Sequence, residues 1–564
     1  MINRHLLILL VLSVVSVWNS LSQNIYENKE KVTPAKEVFN VDSVLTREDS
    51  VNLTQMKKKL PKLESPEYVI TGLASVNLPG IQKHIADEII APEAISRDAF
   101  RANVGDKSYK PTGKDKGPGL IEGTNKYKGF FHAGMGTYFT PECELQLGSN
   151  IYDIDYTIGG HYFLTNGYAE NTKRSQGGFK MKGSKHIPSY TEYTWLNDAV
   201  LKCVLEYSSK SYNFYGSASP YIRRTISDFQ IDFGIENYTY NTFPYLMLLT
   251  LGNSNVTDSS SAKNETRFGL KGQTIFEVSD LPLSLNMDLS FASGGLGFAD
   301  INGGVMNYNY LGLDLKGILH LYWAKGMLGQ NITRLYPELS LSYQLSIHKI
   351  YMIFNPSIKK NLLFTMQAQN GYLSSNSIIK SLDIHNAGEF VVESKWSESI
   401  LTRASLAVKS VKNYPLFSDS LSRGVWSVIY EGQTKILSFG AEMVAKFNSN
   451  DYFEISAKFN SVKNTDFSVP YVPDAEIGSS ACVSILRKLG IGFNSRFLGK
   501  RVTDLQGRSA LSEFALVNVW MDYSPFDFMK CMIEGRNILD ADYELWKGYK
   551  EFPMTINFSI NLKW

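Results

Sequence analysis

Two tetrapeptides set a serine three residues before a lysine, the spacing that lets a lysine amine activate a serine hydroxyl: Ser346-Ile347-His348-Lys349 and Ser377-Ile378-Ile379-Lys380. That chemistry needs a helical setting, which places both side chains on one face. The first tetrapeptide ends an alternating segment and the second lies in a loop-like stretch, so coincidence is the better reading of both. The 8 histidines are scattered and no His-Glu-x-x-His occurs, so no metal site is expected. Gly294-Gly295-Leu296-Gly297 and Gly303-Gly304 are not followed by Gly-Lys-Ser/Thr, so loop flexibility explains them better than phosphate binding. There is no Gly-x-Ser-x-Gly elbow. The expectation is a chain with no catalytic residue, no metal and no cofactor.

What the residues build is clearer. The chain has 564 residues, 43% hydrophobic, 13% aromatic and 20% charged, with a net charge of +2. That excludes pervasive disorder and gives no basic surplus for nucleic acid. Only 4 cysteines are present, too few for a disulfide scaffold. Arg4, the apolar run Leu6 to Trp18 and Ser20-Leu21-Ser22 form the charged, apolar and small-residue parts of a cleaved export signal, assigned to residues 1–22. A helical span needs roughly 20 apolar residues and this run is shorter.

Residues 23–128 read as a periplasmic extension and linker. They begin polar, carry a weak helical pattern at Ile81, Ile85, Ile89 and Ile95, and end in a Gly/Pro/Lys linker over 106–123. From Gly129 to Trp564 the period becomes two. Leu281, Leu283, Leu285, Met287, Leu289 and Phe291 alternate with polar or small residues, as do Phe229 to Ile235, Leu339 to Ile347 and Phe453 to Phe459. Such strands suit a soluble sandwich or a membrane barrel. Their length of about 9–11 residues, aromatics at strand ends and unequal connections favour the barrel. Tight turns are expected at Asn197-Asp198, 448–450, Arg487-Lys488 and Ser524-Pro525. Long polar loops are expected at 166–188, 253–264, 293–305, 412–433 and 539–551.

The C-terminus alternates without a break: Ile556, Phe558, Ile560, Leu562 and Trp564 form the expected membrane face of a closing strand. The expected lumen-facing row includes Asp232, Glu236, Asp288, Gln344, Glu454, Lys458 and Asn561. Cys143, Cys203 and Cys531 share the apolar row, and Cys482 the polar one. Counting turns gives about 22 strands, with about 16–20 left open by the ambiguous stretch 317–384. The fold class is all-β, a transmembrane antiparallel β-barrel over 129–564.

Two stretches carry a resemblance. Gly134-Met135-Gly136-Thr137-Tyr138-Phe139-Thr140-Pro141-Glu142-Cys143-Glu144-Leu145 resembles the opening hairpin of plug-less, TonB-dependent-receptor-like barrels of diderm bacteria. The segment Gly535 to Trp564 is similar to the last hairpin of TonB-dependent receptors, through Asn537, Ile538, Asp540, Tyr543, Gly548, Tyr549, Pro553 and Trp564. Pro553-Met554-Thr555 departs from the usual Pro-Gly-Arg. The resemblance implies a bacterial outer-membrane barrel, inserted into lipid by the barrel-assembly machinery. It further implies a nutrient or solute transporter or channel. Residues 23–128 look too short and irregular for the plug domain of that family, beyond a partial one. Glu37-Val38-Phe39-Asn40-Val41 is weakly similar to the coupling box that meets a TonB-type partner. The alternative is a structural barrel that anchors a periplasmic or surface partner.

The mature chain is predicted to begin at about Gln23. N-terminal sequencing of membrane-extracted protein checks this, and retention of residues 1–22 contradicts it.

Overall fold

The computed structural model describes residues 129–564, except 189–193, 238–243, 259–260, 279–280, 420–422, 448–450 and 487. The export signal, the extension, its helical pattern and the coupling-box likeness lie outside the described residues.

Alternating side chains let each segment present one apolar and one polar row, and the segments pair in chain order into one antiparallel sheet. That sheet has 23 stretches. His348–Phe354 and Ser357–Lys359 both pair with Leu382–Lys395 and are one strand interrupted at Asn355-Pro356, so 23 − 1 leaves 22 strands in the wall. The interruption has a local cause, since proline cannot donate to a ladder. The wall closes on itself: Gly129–Gly136 pairs with Thr140–Ile151 on one side and with Thr555–Lys563 on the other. Gly129 N donates to Trp564 O at 2.8 Å and Trp564 N returns to Gly129 O at 3.1 Å. A side chain at residue 129 would run into the Trp564 ring, with an added Cβ only 2.4 Å from it. The seam therefore needs glycine opposite the terminal tryptophan.

The two rows differ sharply in exposure. On the closing strand Ile556 and Phe558 are 47% and 50% exposed, while the alternating Asn557 and Ser559 are 7% and 3%. The same exposed apolar row continues around the wall through Leu145, Phe179, Phe233, Leu285, Leu319 and Leu341. Trp564 is exposed, and Ile560 and Leu562 are half-buried. Cys143 and Cys203 are exposed, Cys482 and Cys531 half-buried, and all four are free thiols. Cys531 lies opposite Tyr523 and Ile560, members of the apolar row, whereas Cys482 lies opposite Gly492.

The connections alternate in length. At the end where Gly129 begins and Trp564 stops, most are tight, such as Tyr152-Asp153, Leu311-Gly312 and Asp527-Phe528. Aromatic and aliphatic tips crowd that end, among them Tyr152, Trp396, Phe447 and Phe528, all exposed. The opposite end carries the long connections 166–173, 214–222, 360–381, 413–432, 465–474, 499–513 and 537–554.

Several expected connections are corrected. The expected loop 166–188 contains the strand Arg174–His186, so loop remains only at 166–173 and 187–188. The stretch 253–264 is mostly strand, with Tyr245–Thr257 and Ala262–Val278 meeting at a short turn. The stretch 293–305 reduces to a turn at 293–295, after which Leu296–Tyr310 is strand. Asn, Ser and Gly in these segments sit on strands whose polar row needs no apolar residue, which is why composition misread them as loop. Gly294 and Gly295 make that turn with φ of 84° and 81°. Asn197-Asp198 belongs to the longer connection 187–199, and the turn expected at Ser524-Pro525 falls at Asp527-Phe528. The ambiguous stretch 317–384 resolves into strands plus the connection 360–381, which carries the short helix Leu363–Gln369.

Two substitutions on the closing strand test the rows. Ile560→Arg should cost roughly 2–4 kcal/mol if that position meets hydrocarbon near the midplane, and Asn561→Arg much less. Equal or reversed losses in a folding titration into lipid vesicles contradict the assignment.

Candidate functional site

Inside the wall, charge is abundant and largely paired across neighbouring strands. Arg267 bonds Asp228 at 2.5 Å, Lys316 bonds Glu338 at 2.5 Å, and Lys530 bonds Asp522 at 3.0 Å. His320 sits between Asp300 and Glu338, at 3.0 Å and 3.2 Å. Opposite charges on adjacent strands cancel locally at these places.

The residues expected to face the lumen join this network at separate places. Asp232 accepts from Gln230 at 2.9 Å and Thr250 at 2.6 Å. Glu236 pairs with Lys202, and Asp288 with Lys271 at 3.3 Å and Lys360 at 3.5 Å. Asn561 Oδ1 lies 2.9 Å from His132 Nδ1. Glu454 and Lys458 are half-buried on Tyr452–Asn464. Gln344 is exposed near a short turn and donates to Ser346 O at 2.7 Å. They are spread around the wall and form no single site. Ser346 occupies a turn with φ of 56° and Ser377 a loop, so neither Ser-x-x-Lys match has a helical setting. Among the described residues no group of three or more His, Cys, Asp or Glu could hold a metal ion.

Most of the residues that do converge lie in the long connections. Tyr212, Phe214, Tyr372, Leu373, Phe417, Trp426, Tyr471, Trp546 and Tyr549 form one buried apolar core, joined by Leu363, Met366 and Ile379. Trp426, from 413–432, is its hub. Its ring lies 5.2 Å from Trp546, 5.7 Å from Tyr549, 5.9 Å from Tyr471 and 6.3 Å from Tyr372. Four rings from three other connections thus meet one side chain. Trp426 Nε1 donates to Tyr471 Oη at 3.1 Å, which satisfies the one polar atom of the buried indole. Tyr372 and Tyr549 stack with centroids 3.5 Å apart.

Backbone carbonyls complete the lock. Tyr549 Oη donates to Gly424 O at 2.7 Å, Tyr215 Oη to Lys550 O at 2.8 Å, and Tyr212 Oη to Gly371 O. Arg224, with a side chain 1% exposed, pairs with Asp258 at 2.6 Å. Its other nitrogen donates to Gly371 O at 2.8 Å and Leu373 O at 2.5 Å. Strand Arg223–Asn237 is thereby tied to connection 360–381, which leaves the wall far from it in strand order. The contact crosses the ring and does not follow it. Burial, then the neighbouring Glu551, Tyr549 and Tyr212, hold the Tyr372 hydroxyl well above its usual 10. A raised folded value means the stability these phenols give is present in full below pH 10 and declines above it.

Some of the residues that carried the family resemblance shape the last connection, while Trp564 stands at the seam. Asn537, with φ of 46°, bonds Ala541 O at 3.0 Å and Phe552 O at 3.1 Å. Asp540 accepts from Met554 N at 2.9 Å. Tyr543 packs on Phe514 at 4.5 Å. Gly548, with φ of 85°, turns the chain so that Tyr549 enters the core. The sequence reading assigned aromatics to strand ends and missed this third use. Its signal was there: Tyr372, Trp426, Tyr471 and Trp546 all stand inside connections and not at strand ends.

No family model and no curated protein matches the sequence. Solved structures do match. The FpvA receptor of Pseudomonas aeruginosa bound to pyoverdines aligns with a TM-score of 0.60 at 11% identity, covering 78% of this chain and 72% of that one. The FrpB iron transporter of Neisseria meningitidis gives 0.61 at 9% identity, covering 79% and 82%. The ferric-catecholate import receptor Fiu of E. coli K12 gives 0.58 at 11%, covering 78% and 82%. At these identities the likeness is one of fold, the 22-strand barrel of TonB-dependent receptors.

Trp426→Ala should remove about 3–5 kcal/mol from the cap while leaving the wall intact. Limited proteolysis should then cut within 360–381 or 413–432 much faster, with heat resistance on gels unchanged. Unchanged protection contradicts the hub role.

Proposed function

We propose that the chain is an outer-membrane transporter or channel that passes a solute through its barrel, with the aromatic cap as the gate at the outward end. The observation that carries this reading is the closed 22-strand wall, apolar outside and polar within. Closure leaves no unpaired edge in hydrocarbon, and a barrel of this size has a lumen that must be filled or gated. The named roles of the similar structures, pyoverdine receptor, iron transporter and import receptor, support solute passage. A wall of paired charges suits passage without strong preference for ion sign.

In this reading the exposed row, Ile556, Phe558, Ile560, Leu562 and Trp564 included, meets lipid. Asp232, Glu236, Asp288, Gln344, Glu454, Lys458 and Asn561 belong to the wet side. Residues 1–22 direct export, and residues 23–128 lie in the periplasm as a tether or partial plug. The barrel-assembly machinery recognises the closing strand. Coupling to a TonB-type partner would run through Glu37 to Val41. No step assigned to the chain is a chemical transformation.

Planar-bilayer recordings test the reading. The full chain should conduct weakly, and a variant lacking 23–128 should conduct more while remaining heat-resistant. Trp426→Ala should raise conductance further by loosening the cap. No conductance from any of the three contradicts transport and favours a barrel that anchors a partner.

A further inference from the structure

Charge pairing lapses just below the cap. Arg174 opens the strand Arg174–His186, and Lys210 stands near the end of Val200–Asn213, where both strands join long connections. Arg174 lies opposite Tyr212 and Lys210 opposite Gln176, so the two cations are diagonal neighbours on one face. That face is the inner one, because Tyr212 enters the cap core while Phe179 and Met181, on the other row, are exposed. Diagonal neighbours stand roughly 7–8 Å apart at the backbone, within reach of long side chains. The charge that acts on Lys210 is that of Arg174, of its own sign.

Neither cation has a counter-charge. Among the described residues neither side chain reaches an ion-pair partner, and Arg174 Nε is buried without a hydrogen bond. Lower on the same two strands the cations are paired, Lys180 with Glu206, and Lys202 with Glu236 of the next strand. Acids at the height of the unpaired cations are taken, Asp228 by Arg267 and Asp258 by Arg224. Ring faces stand where carboxylates would. Arg174 Cζ lies 4.2 Å from the centroid of Phe552, and Lys210 Nζ 5.6 Å from that of Tyr212. A ring face steadies a cation but leaves its N–H donors unused. Both side chains are half-buried, so they have lost part of their water and still keep accessible surface. Two like charges partly out of water are costly unless an anion joins them.

We propose that Arg174 and Lys210 bind the carboxylate or phosphate group of a small organic solute just beneath the cap. The planar guanidinium grips two oxygens side by side, and the ammonium meets the same group as a point charge. The bound anion supplies the counter-charge that the wall withholds at this height. The binding stands on this geometry alone; whether the solute then crosses the barrel rests on the transport reading above.

Saturation-transfer NMR on the full chain in detergent tests the site, with propionate and methyl phosphate as probes and propylammonium and propanol as controls. Both anions should receive saturation, and the controls far less. Arg174→Gln and Lys210→Gln should each weaken anion binding about tenfold. Heat resistance on gels should hold or rise in both, because each removes a like-charge contact. Anion signals no stronger than those of the controls overturn the proposal, and so does anion binding unchanged in both variants. Loss of heat resistance in both variants also overturns it, since the cations then serve the fold. If one variant alone loses heat resistance, the other decides. Release of entrapped methyl phosphate from liposomes separates the two readings: binding without release keeps the site and counts against transport, and release without binding does the reverse.

Discussion

Everything in this structure depends on the pairing of backbone groups at one seam. A sheet whose outer surface is a continuous apolar row cannot keep an open edge, because unpaired N–H and C=O groups in that setting have no water to bond. The strand Gly129–Gly136 removes both edges at once by pairing with the strand that follows it and with the last strand of the chain. The side chains at the seam serve that pairing. Gly129 makes room for the Trp564 ring, and Gly136 leaves room for Asn557. A ring closed after 22 strands then fixes where each described connection emerges, most tight turns at the end of Gly129 and Trp564 and most long connections at the other.

Closure creates a second problem, a wide interior, and the chain meets it with two different kinds of interaction. Along the wall, charges pair with charges on the next strand, as Lys316 does with Glu338 and Arg267 with Asp228. At the long-connection end the solution is apolar. Trp426 gathers Tyr372, Tyr471, Trp546 and Tyr549 into a core like that of a small soluble domain, suspended from strands that reach it from several sides. Arg224 anchors that core to the wall through a buried ion pair and two carbonyls. Such a pair adds little net stability beyond an apolar substitute, but breaking it strands a charge. It therefore holds the cap to one arrangement.

The motifs that gave the family resemblance have structural work. Asn537, Asp540, Tyr543, Gly548 and Tyr549 shape the last connection and insert one ring into the cap. Their partners are other parts of the same chain, so they carry no information about a solute.

The sequence alone determined the period-two alternation, the closing strand over Ile556 to Trp564, the two rows on each strand and the barrel class, since side-chain alternation is a local property of extended backbone. The strand number of about 22 followed from counting turns, and the placement of Cys482 on the polar row from register. The sequence could not bound the strands whose polar row is made of Ser, Asn and Gly. Arg174–His186 and Leu296–Tyr310 look like loops because a wet-side row needs no apolar residue to be stable. Only the tertiary structure decided the cap. Trp426 and Tyr549 are separated by more than a hundred residues, and nothing in either segment encodes the other. Their meeting depends on the closed ring, because closure brings the connections that carry them over one opening.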